Sequence, residues 1–573
     1  MDCTIQQIGW RSSLLYGTIF CLPLSISLIA GYNYINYGST LLMAFSTLSK
    51  IFAAFAILMS LFQLSLRVFF GGGSKKSKLF RLFESKHSYW LYVVLFIILW
   101  LPYFISAYPG LFVYDAFTQT HYSMGLNIVN SFHPLAHTYL LSLFLQVGKL
   151  MADSYGFGLS LYCAVQMLIQ AMTFAYILKE VFKHIHSSAL KLAMLLFFSL
   201  FPVFPIMALS ATKDTLFSCA LALFVLQCYK LLSSSDTFFE IKSNKVLLIV
   251  AGIVASVFRN NGLYAVLAML LILFIAFRSK RSAIFPALLT CAIISIALGG
   301  IIPKVVSVIS SPAAEMLGVP IQQISRAVND HLSEISDEEI AEVERLIPSW
   351  DLYSPGIADE VKFAEGTSDL VSDNLPDFIS LWLRFAFRYP GSYVDAFTAL
   401  TYGYWYPFAT YNSIGTLKPY LEFDPWLLAD SNVAVRNMGD HAEVFNCENV
   451  DEYIFIPNSN LMPSLTNAIR AICYRAPWAN NVLTAVFTNA STWLWAAYYA
   501  FIRLAMFHKM EYKALFGLFI YILTCLLGPV FLIRYAYAVY VSIPLIFLFC
   551  YQALQTGLSG WKAPIITQKA VPD

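Results

Sequence analysis

Charged residues are scarce in this chain of 573 residues: Asp, Glu, Lys and Arg together make up 12% of it, against about 25% in a typical soluble domain. Hydrophobic residues account for 58% of the chain and aromatic residues for 16%. This composition argues against a soluble enzyme and predicts a polytopic membrane protein. The formal net charge of +2 comes without a basic cluster, so nothing in the sequence indicates a nucleic-acid partner.

Several common motifs are also missing. None of the ten cysteines has CxxC or CxxH spacing, which argues against a structural zinc or a redox pair. Only Cys447 and Cys473 fall in a long polar region, where a disulfide between them would be allowed. The chain has no GxxxxGK[ST] or GxGxxG phosphate cradle, which disfavours ATP as an energy source. The N-terminal MDCTIQQIGWRSS lacks the apolar core and cleavage site of a signal peptide, so we expect the first span to be retained.

Apolar runs long enough to cross a membrane recur along the chain, since a spanning helix needs about 20 mostly apolar residues. Basic residues cluster in alternate connections, which by the positive-inside rule places those connections and both termini in the cytoplasm. This alternation requires the run 134–150 to lie along the outer interface rather than to span. We therefore expect an all-α, polytopic membrane fold with about 12 transmembrane helices, at residues 14–31, 41–70, 89–107, 157–178, 190–208, 214–232, 246–258, 263–277, 283–303, 481–506, 514–533 and 535–555.

Four regions follow from this topology. Residues 1–88 would form two N-terminal transmembrane helices and a basic cytoplasmic loop, and residues 89–303 a transmembrane core with a first outer loop at 108–156. Residues 304–480 are long enough for a mainly helical extracytoplasmic domain, and residues 481–573 would supply the C-terminal spans and a cytoplasmic tail. Within the third region, the Ser336 to Glu339 segment predicts a capping box that opens a helix.

The polar clusters that the positive-inside rule leaves unexplained all fall on the predicted outer face. Ionisable groups at such depth are costly and commonly mark functional sites. The candidate site residues are Tyr114, Asp115, Gln119, His133, His137, Lys213, Asp214, Arg259, Asn260, Asn261, Gln322, Gln323, Arg326 and Arg534.

Each of these residues also has a structural explanation when it is taken alone. Asp115 would serve as a helix cap, and Lys213 with Asp214 as an ion pair in a turn. Arg534 would anchor to lipid headgroups, and the four-residue spacing of Gln322 and Arg326 would stabilise a helix. The shared side and the shared depth of the clusters favour a site over these separate roles.

Together these residues describe an acid in an outer cleft with several candidate cations, Lys213, Arg259, Arg326 and Arg534. Such cations suit a phosphate or pyrophosphate group, which a lipid-linked sugar presents at this depth. The carboxylate of Asp115 would take a proton from an acceptor hydroxyl while the cations stabilise the departing phosphate.

The motifs YPGLFVYDAFTQ, FHPLAHT, SATKDTLF, FRNNGLYA, VPIQQISRAV and IRYAYAVYVSIP resemble the GT-C superfamily. This superfamily comprises multipass glycosyltransferases that use polyprenyl-phosphate-linked sugars. The resemblance covers roughly residues 88 to 550 and is closest to a bacterial domain of unknown function, family 6020. It implies that Asp115 is the general base of a transfer, of the inverting type, to a cell-envelope glycan or lipid.

The resemblance also raises the question of a divalent cation, because many relatives bind one with paired acids. Here Asp115 stands alone between Tyr114 and Ala116, which departs from that pattern. If a Mn or Mg ion binds, Asp115 with His133 or His137 would hold it, and a mixed N/O ligand set suits manganese better than calcium.

Two other classes of function compete with the enzyme. A transporter or flippase of lipid-linked sugars would suit the number of spans, but its site is expected near the midplane on broken helices of a repeat. A non-catalytic envelope-assembly protein would keep the fold without the chemistry. The position of the polar clusters at the outer boundary favours the glycosyltransferase.

Overall fold

The structure is a computed structural model of the chain. It describes residues 10–41, 44–66, 87–112, 116, 119–120, 133–185, 187–277, 281–306, 316–409, 456, 459, 461–474 and 488–559. In these residues the regular structure is helical, with three isolated backbone bridges and no β-strand. The predicted all-α fold is therefore confirmed for the described part of the chain.

The first half of the chain is a succession of apolar helices. Their bounds are α1 Trp10–Tyr37, α2 Ala44–Ser65, α3 Ser88–Ser106, α4 Leu135–Ala152, α5 Tyr155–Phe182, α6 Ser188–Leu200, α7 Val203–Leu209, α8 Lys213–Ser233, α9 Ser235–Glu240, α10 Lys242–Phe258, α11 Asn260–Ala276, α12 Arg281–Ile296 and α13 Ile302–Val306. A π-helical segment, Ala297–Ile301, joins the last two.

The second half contains shorter helices and then returns to the apolar bundle. Their bounds are α14 Gly318–His331, α15 Asp337–Leu346, α16 Asp359–Phe363, α17 Thr367–Asp373, α18 Leu375–Arg388, α19 Pro390–Trp405, α20 Pro463–Tyr474, α21 Ala490–Met506, α22 Phe516–Cys525, α23 Ile533–Val541 and α24 Ile543–Ser559. Single turns of 3-10 helix lie at Leu332–Glu334, Trp350–Leu352 and Ala364–Gly366, and a longer one at Met510–Leu515.

Six helices among the described residues are long and apolar enough to cross a membrane, or up to eight when two bent pairs are each counted as one span. These numbers are compatible with a membrane protein but do not confirm the predicted count of twelve. The predicted spans at 246–258 and 263–277 are helices of 17 residues each, shorter than the about 20 that a span needs. The predicted span at 514–533 contains a helix of only ten residues, because Gly528 and Pro529 follow it and proline cannot continue a helix.

The helix predicted to lie along the interface at 134–150 is observed as α4, and it packs against α5 as a close antiparallel hairpin. Two glycines permit this approach. A Cβ atom on Gly148 would lie 2.1 Å from the backbone nitrogen of Gly158, and one on Gly158 would lie 2.4 Å from the carbonyl oxygen of Phe144. Small residues at a helix contact let two backbones approach closely, and this contact fixes the second half of α4 against the start of α5.

Residues 316–409 form a helical unit with an apolar core of its own. Ile321 and Ile324 of α14 pack in this core with Phe378, Leu381 and Phe385 of α18. Ser336 caps α15 in the predicted capping box, which is confirmed: its hydroxyl accepts from the Glu339 backbone N–H and the Glu339 carboxylate accepts from the Ser336 backbone N–H. The unit contacts the bundle where the Ala358 N–H donates to the Pro529 carbonyl at 2.8 Å, a few residues before α23.

The hairpin gives a stability prediction. Gly148→Ala places a methyl group inside van der Waals contact with backbone atoms of α5, so we expect a loss of about 1–3 kcal/mol or more in the free energy of unfolding. Gly156→Ala is the matched control, because its Cβ atom would meet its nearest neighbours at 3.5 Å, an ordinary contact. Thermal unfolding in detergent should show a lower Tm for the first variant only. Equal Tm values would mean that the hairpin is looser than the structure has it.

Candidate functional site

Three helix boundaries meet at one place in the bundle. They are the start of α8 at Lys213, the junction of α10 and α11 at Arg259, and the start of α23 at Ile533. Arg259 has extended backbone dihedrals, with φ −153° and ψ 129°, and separates two helices that would otherwise be continuous. At these boundaries, polar side chains that lie between apolar runs of the sequence are directed into the protein.

The centre of the site is a buried carboxylate that faces two guanidinium groups. Asp214 is fully buried, and its Oδ1 accepts a hydrogen bond from Nη1 of Arg259. Nη1 of Arg534 lies 3.8 Å from Asp214 Oδ2, an ion-pair contact rather than a hydrogen bond. Arg259 and Arg534 are each only 8% exposed. Asp214 also lies in the first turn of α8, where the helix dipole favours a negative charge.

Aromatic rings hold the two guanidinium groups in place. The Tyr535 ring centroid lies 4.5 Å from Cζ of Arg259 and 4.8 Å from Cζ of Arg534, so one ring contacts both cations. Nη2 of Arg534 donates to the Tyr535 hydroxyl at 3.2 Å, and the hydroxyl of Tyr521 donates to the Tyr535 carbonyl at 2.7 Å. Phe217 completes the wall on the Arg259 side, with its ring centroid 5.8 Å away. Such rings stabilise partly desolvated cations without neutralising them.

Lys213 and His133 form a second polar pair, and Lys213 directly precedes Asp214 in the sequence. Nζ of Lys213 donates to Nδ1 of His133 at 3.4 Å, which connects α8 to the residue two positions before the start of α4. Asn260 is exposed and Asn261 is half-buried at the start of α11, directly after Arg259. The structure thus gathers Lys213, Asp214, Arg259 and Arg534 from the predicted set.

His137 and Gln119 lie in a fully buried hydrogen-bonded chain. Nδ1 of His137 lies 2.9 Å from Oε1 of Gln119, and its Nε2 lies 2.8 Å from the hydroxyl of Tyr162. Tyr162 in turn donates to Oε1 of Gln166 at 2.8 Å. Leu111 and Ser210 form a parallel backbone bridge. In it, the Leu111 N–H donates to the Leu209 carbonyl at 2.9 Å. This chain and this bridge fix the first loop against the segment that leads into α8.

Gln322, Gln323 and Arg326 lie on α14 and bond within the 316–409 unit. Gln322 donates to the Ser354 carbonyl at 2.6 Å, and Gln323 donates to the Tyr393 carbonyl at 3.2 Å. Oε1 of Gln323 also accepts from the indole N–H of Trp382 at 2.8 Å. All of these partners belong to the same unit as the two glutamines.

Arg326 belongs to the same unit. Its Nε donates to Asp330 at 2.6 Å and its Nη1 donates to the Tyr353 hydroxyl at 3.4 Å. Burial alone would lower the pKa of this guanidinium, but its bonds with Asp330 and Tyr353 raise the pKa above its usual value. Its observed contacts differ from those of Arg259 and Arg534, and its predicted role in binding phosphate stays a prediction.

Asp115 and Tyr114, as well as Cys447, lie outside the residues that the structure describes. The proposed metal ligands can be examined only in part. Both ring nitrogens of His137 are within hydrogen-bonding distance of Gln119 and Tyr162, and Nδ1 of His133 faces the ammonium of Lys213. No group of three His, Cys, Asp or Glu side chains that could hold a metal occurs in the described ranges. The proposed metal site, which also includes Asp115, stays a prediction.

Sequence reasoning did not name Tyr535, Tyr521, Tyr162 or Gln166. Tyr535 stands beside Arg534 in the IRYAYAV motif, and Gln166 interrupts the apolar run of α5. A glutamine inside a span is a recognisable signal for a buried polar partner, but the sequence does not say which partner. Stacking of one tyrosine on two arginines needs the folded chain.

Comparison with known sequences places this chain in a family that has no assigned activity. The family model described as "Family of unknown function (DUF6020)" matches residues 125–551, roughly three quarters of the chain. No curated protein and no solved structure matches. The matched range includes every described site residue except Gln119.

The buried carboxylate gives the second prediction. Asp214→Asn keeps the shape of the side chain but removes the charge that faces Arg259 and Arg534, and breaking a buried pair typically costs about 3–5 kcal/mol. We expect a large loss of stability in chemical or thermal unfolding of the purified protein. Asp377→Asn, in the exposed pair with Arg345, is the control and should change little. Similar small effects in both variants would show that Asp214 is not the counter-ion of the two arginines.

Proposed function

The chain belongs to the Family of unknown function (DUF6020), and we propose that it is a membrane glycosyltransferase of the GT-C type. It would move a sugar from a polyprenyl-phosphate-linked donor to a cell-envelope glycan or lipid acceptor. The proposal places it in the cell membrane, with both termini in the cytoplasm and the reaction on the extracytoplasmic face. Membrane lipids are then its surroundings, and nucleic acid is no partner.

The observation that carries the proposal is the convergence of Arg259 and Arg534 on Asp214 in a site that is almost closed to solvent. Burying two guanidinium groups costs free energy. Hydrophobic residues of similar volume at these positions would stabilise the folded protein as well or better. Ionisable groups at this depth therefore favour a role in binding charge. A planar guanidinium with several donors suits a phosphate oxygen better than an ammonium does.

The chemistry assigned to this geometry is a displacement at the anomeric carbon of the donor sugar. The oxygen of an acceptor hydroxyl forms the new glycosidic bond, and the bond from the anomeric carbon to the phosphate oxygen breaks. The hydroxyl proton passes to the carboxylate of Asp115, the expected general base. The bond electrons leave with the polyprenyl phosphate, whose added negative charge Arg534 and Arg259 stabilise. None of these steps uses a metal ion held by His133 or His137.

A transporter or flippase of lipid-linked sugars is the second candidate, and one observation favours it. Transport sites are commonly built on discontinuous helices. Two helix pairs are bent here: α6 with α7 by 44°, and α23 with α24 by 50°. Arg534 lies on the second of these pairs. The same cations would then hold a lipid phosphate that is moved rather than cleaved.

Removing one cation should weaken donor binding. Arg534→Ala deletes a charge-assisted contact to the phosphate, which is typically worth about 1.5–3 kcal/mol, or on the order of a tenfold to hundredfold rise in Kd. Binding of a polyprenyl-phosphate sugar to protein in nanodiscs would measure it. Arg345→Ala, at an exposed arginine, is the control. Unchanged affinity in Arg534→Ala would remove this residue from the site.

Turnover should depend on Asp115. We expect wild-type protein, reconstituted in lipid with a panel of polyprenyl-phosphate sugars and acceptors, to release free polyprenyl phosphate. Asp115→Asn should bind the donor but release nothing, because an amide cannot take the proton. Saturable donor binding without release in either protein would reject the transferase and favour the transporter. Equal release in both would reject Asp115 as the base.

A further inference from the structure

We propose that His137 is a positioning residue whose Nε2 carries a hydrogen and donates it to Tyr162, so that it acts as neither metal ligand nor general base. In this role it connects the loop that carries Gln119 to the segment that enters α8. The proposal deepens the transferase function above and rests on it for the kinetic part of its test. It also makes a structural claim that can be tested without any assay of transfer.

The side-chain amide of Gln166 has a fixed orientation. Its Nε2 lies 2.7 Å from the Ser210 carbonyl oxygen, 3.0 Å from that of Ala208 and 3.2 Å from that of Met207. An amide nitrogen is the only end of this side chain that can bond to carbonyl oxygens, because two acceptors would repel each other. Oε1 of Gln166 therefore faces Tyr162 and must accept a hydrogen bond.

The acceptor role of Gln166 determines which groups donate at Tyr162 and His137. A phenol has one hydrogen to donate, and the Tyr162 hydroxyl gives it to Gln166 at 2.8 Å. The contact between that hydroxyl oxygen and Nε2 of His137, also 2.8 Å, then requires the histidine to donate. A nitrogen that bears a hydrogen has no lone pair for a metal or for an incoming proton. Gln119 presents its Oε1 to Nδ1, so Nδ1 must donate as well, and in this arrangement the ring carries both hydrogens and a positive charge.

The other end of the chain is held by two side chains near the start of α4. Nδ1 of His137 faces Oε1 of Gln119 at 2.9 Å. Nε2 of Gln119 donates to Oγ1 of Thr138 at 3.1 Å, and that hydroxyl donates to the Pro134 carbonyl at 3.2 Å.

Burial explains why this hydrogen-bonded chain should hold its residues in fixed positions. Gln119 and His137 are 0% exposed, and Tyr162 is 2% exposed. A broken bond inside such a network leaves a buried polar group without its partner, which costs more than the bond itself contributes. The network therefore has one favoured arrangement.

The two ends of the hydrogen-bonded chain are close in sequence to residues of the proposed site. Gln119 is four residues after Asp115 in the sequence, and the carbonyls of Met207 to Ser210 come just before Lys213 and Asp214. A network with one favoured arrangement thus sets the distance between the loop of the expected base and the cations that hold the donor. Displacing a reacting group by about 1 Å costs on the order of 100-fold in rate.

The kinetic test uses Tyr162→Phe, which removes only the hydroxyl, and His137→Gln, which shortens the connection. We expect kcat to fall on the order of 100-fold in each, while the Kd for the donor stays at the wild-type value because the cations are untouched. The double variant should lose no more than the larger single loss, since both act through one network. Tyr139→Phe, at a tyrosine of the same helix that is 48% exposed, is the control.

The structural test is hydrogen–deuterium exchange of the same variants without substrate. We expect faster exchange at residues 108–112 and 207–213 in Tyr162→Phe and in His137→Gln. Exchange in Tyr139→Phe should equal that of the wild type, and exchange in α14 of the 316–409 unit should be unchanged in all variants. Unaltered exchange in these segments would overturn the proposal even if the protein proved to be no transferase. A wild-type rate in Tyr162→Phe, together with recovery of His137→Gln by excess Mn²⁺, would overturn it in favour of a metal ligand.

Discussion

The rest of the site depends on one buried carboxylate. Asp214 is fully enclosed and faces Arg259 by a hydrogen bond and Arg534 at 3.8 Å, so it makes the burial of two cations tolerable. Tyr535 lies against both guanidinium groups and limits the directions that they can take. A carboxylate in this position keeps the cations charged and ordered before any ligand arrives, which is the preorganisation that binding a phosphate requires.

The fold supplies this arrangement through the ends of helices. Arg259 breaks what would be one helix into α10 and α11, and Leu532 with extended dihedrals precedes α23 and Arg534. Each break turns a charged side chain inward at the same end of the bundle as the first residue of α8. The 316–409 unit bonds to the chain at Pro529, close to one of these breaks. The unit is thus bonded to the chain five residues before Arg534.

The sequence predicted the helical class and the residue types of the site better than it predicted the connections. Arg534 and Asp214 were visible because charges inside apolar runs are rare. Their pairing was not, because Arg259 and Arg534 are 45 and 320 residues from Asp214 and only the folded bundle brings them together. The predicted count of twelve spans is not confirmed among the described residues, where one apolar run contains a helix of only ten residues before Pro529 and another is bent by 50° near Pro544. The hydrogen-bond partners of His137 could not be predicted either, because Gln119 and Tyr162 are 18 and 25 residues away from it in the sequence.

The central claim is that Arg259 and Arg534 hold the phosphate of a lipid-linked sugar. An experimental structure of the protein in nanodiscs with saturating polyprenyl monophosphate would test it most directly. We expect phosphate density within hydrogen-bonding distance of both guanidinium groups, with the chain of the lipid passing out between the apolar helices. A phosphate bound elsewhere, for example on the 316–409 unit at Arg326, with the Asp214 group unchanged, would contradict it.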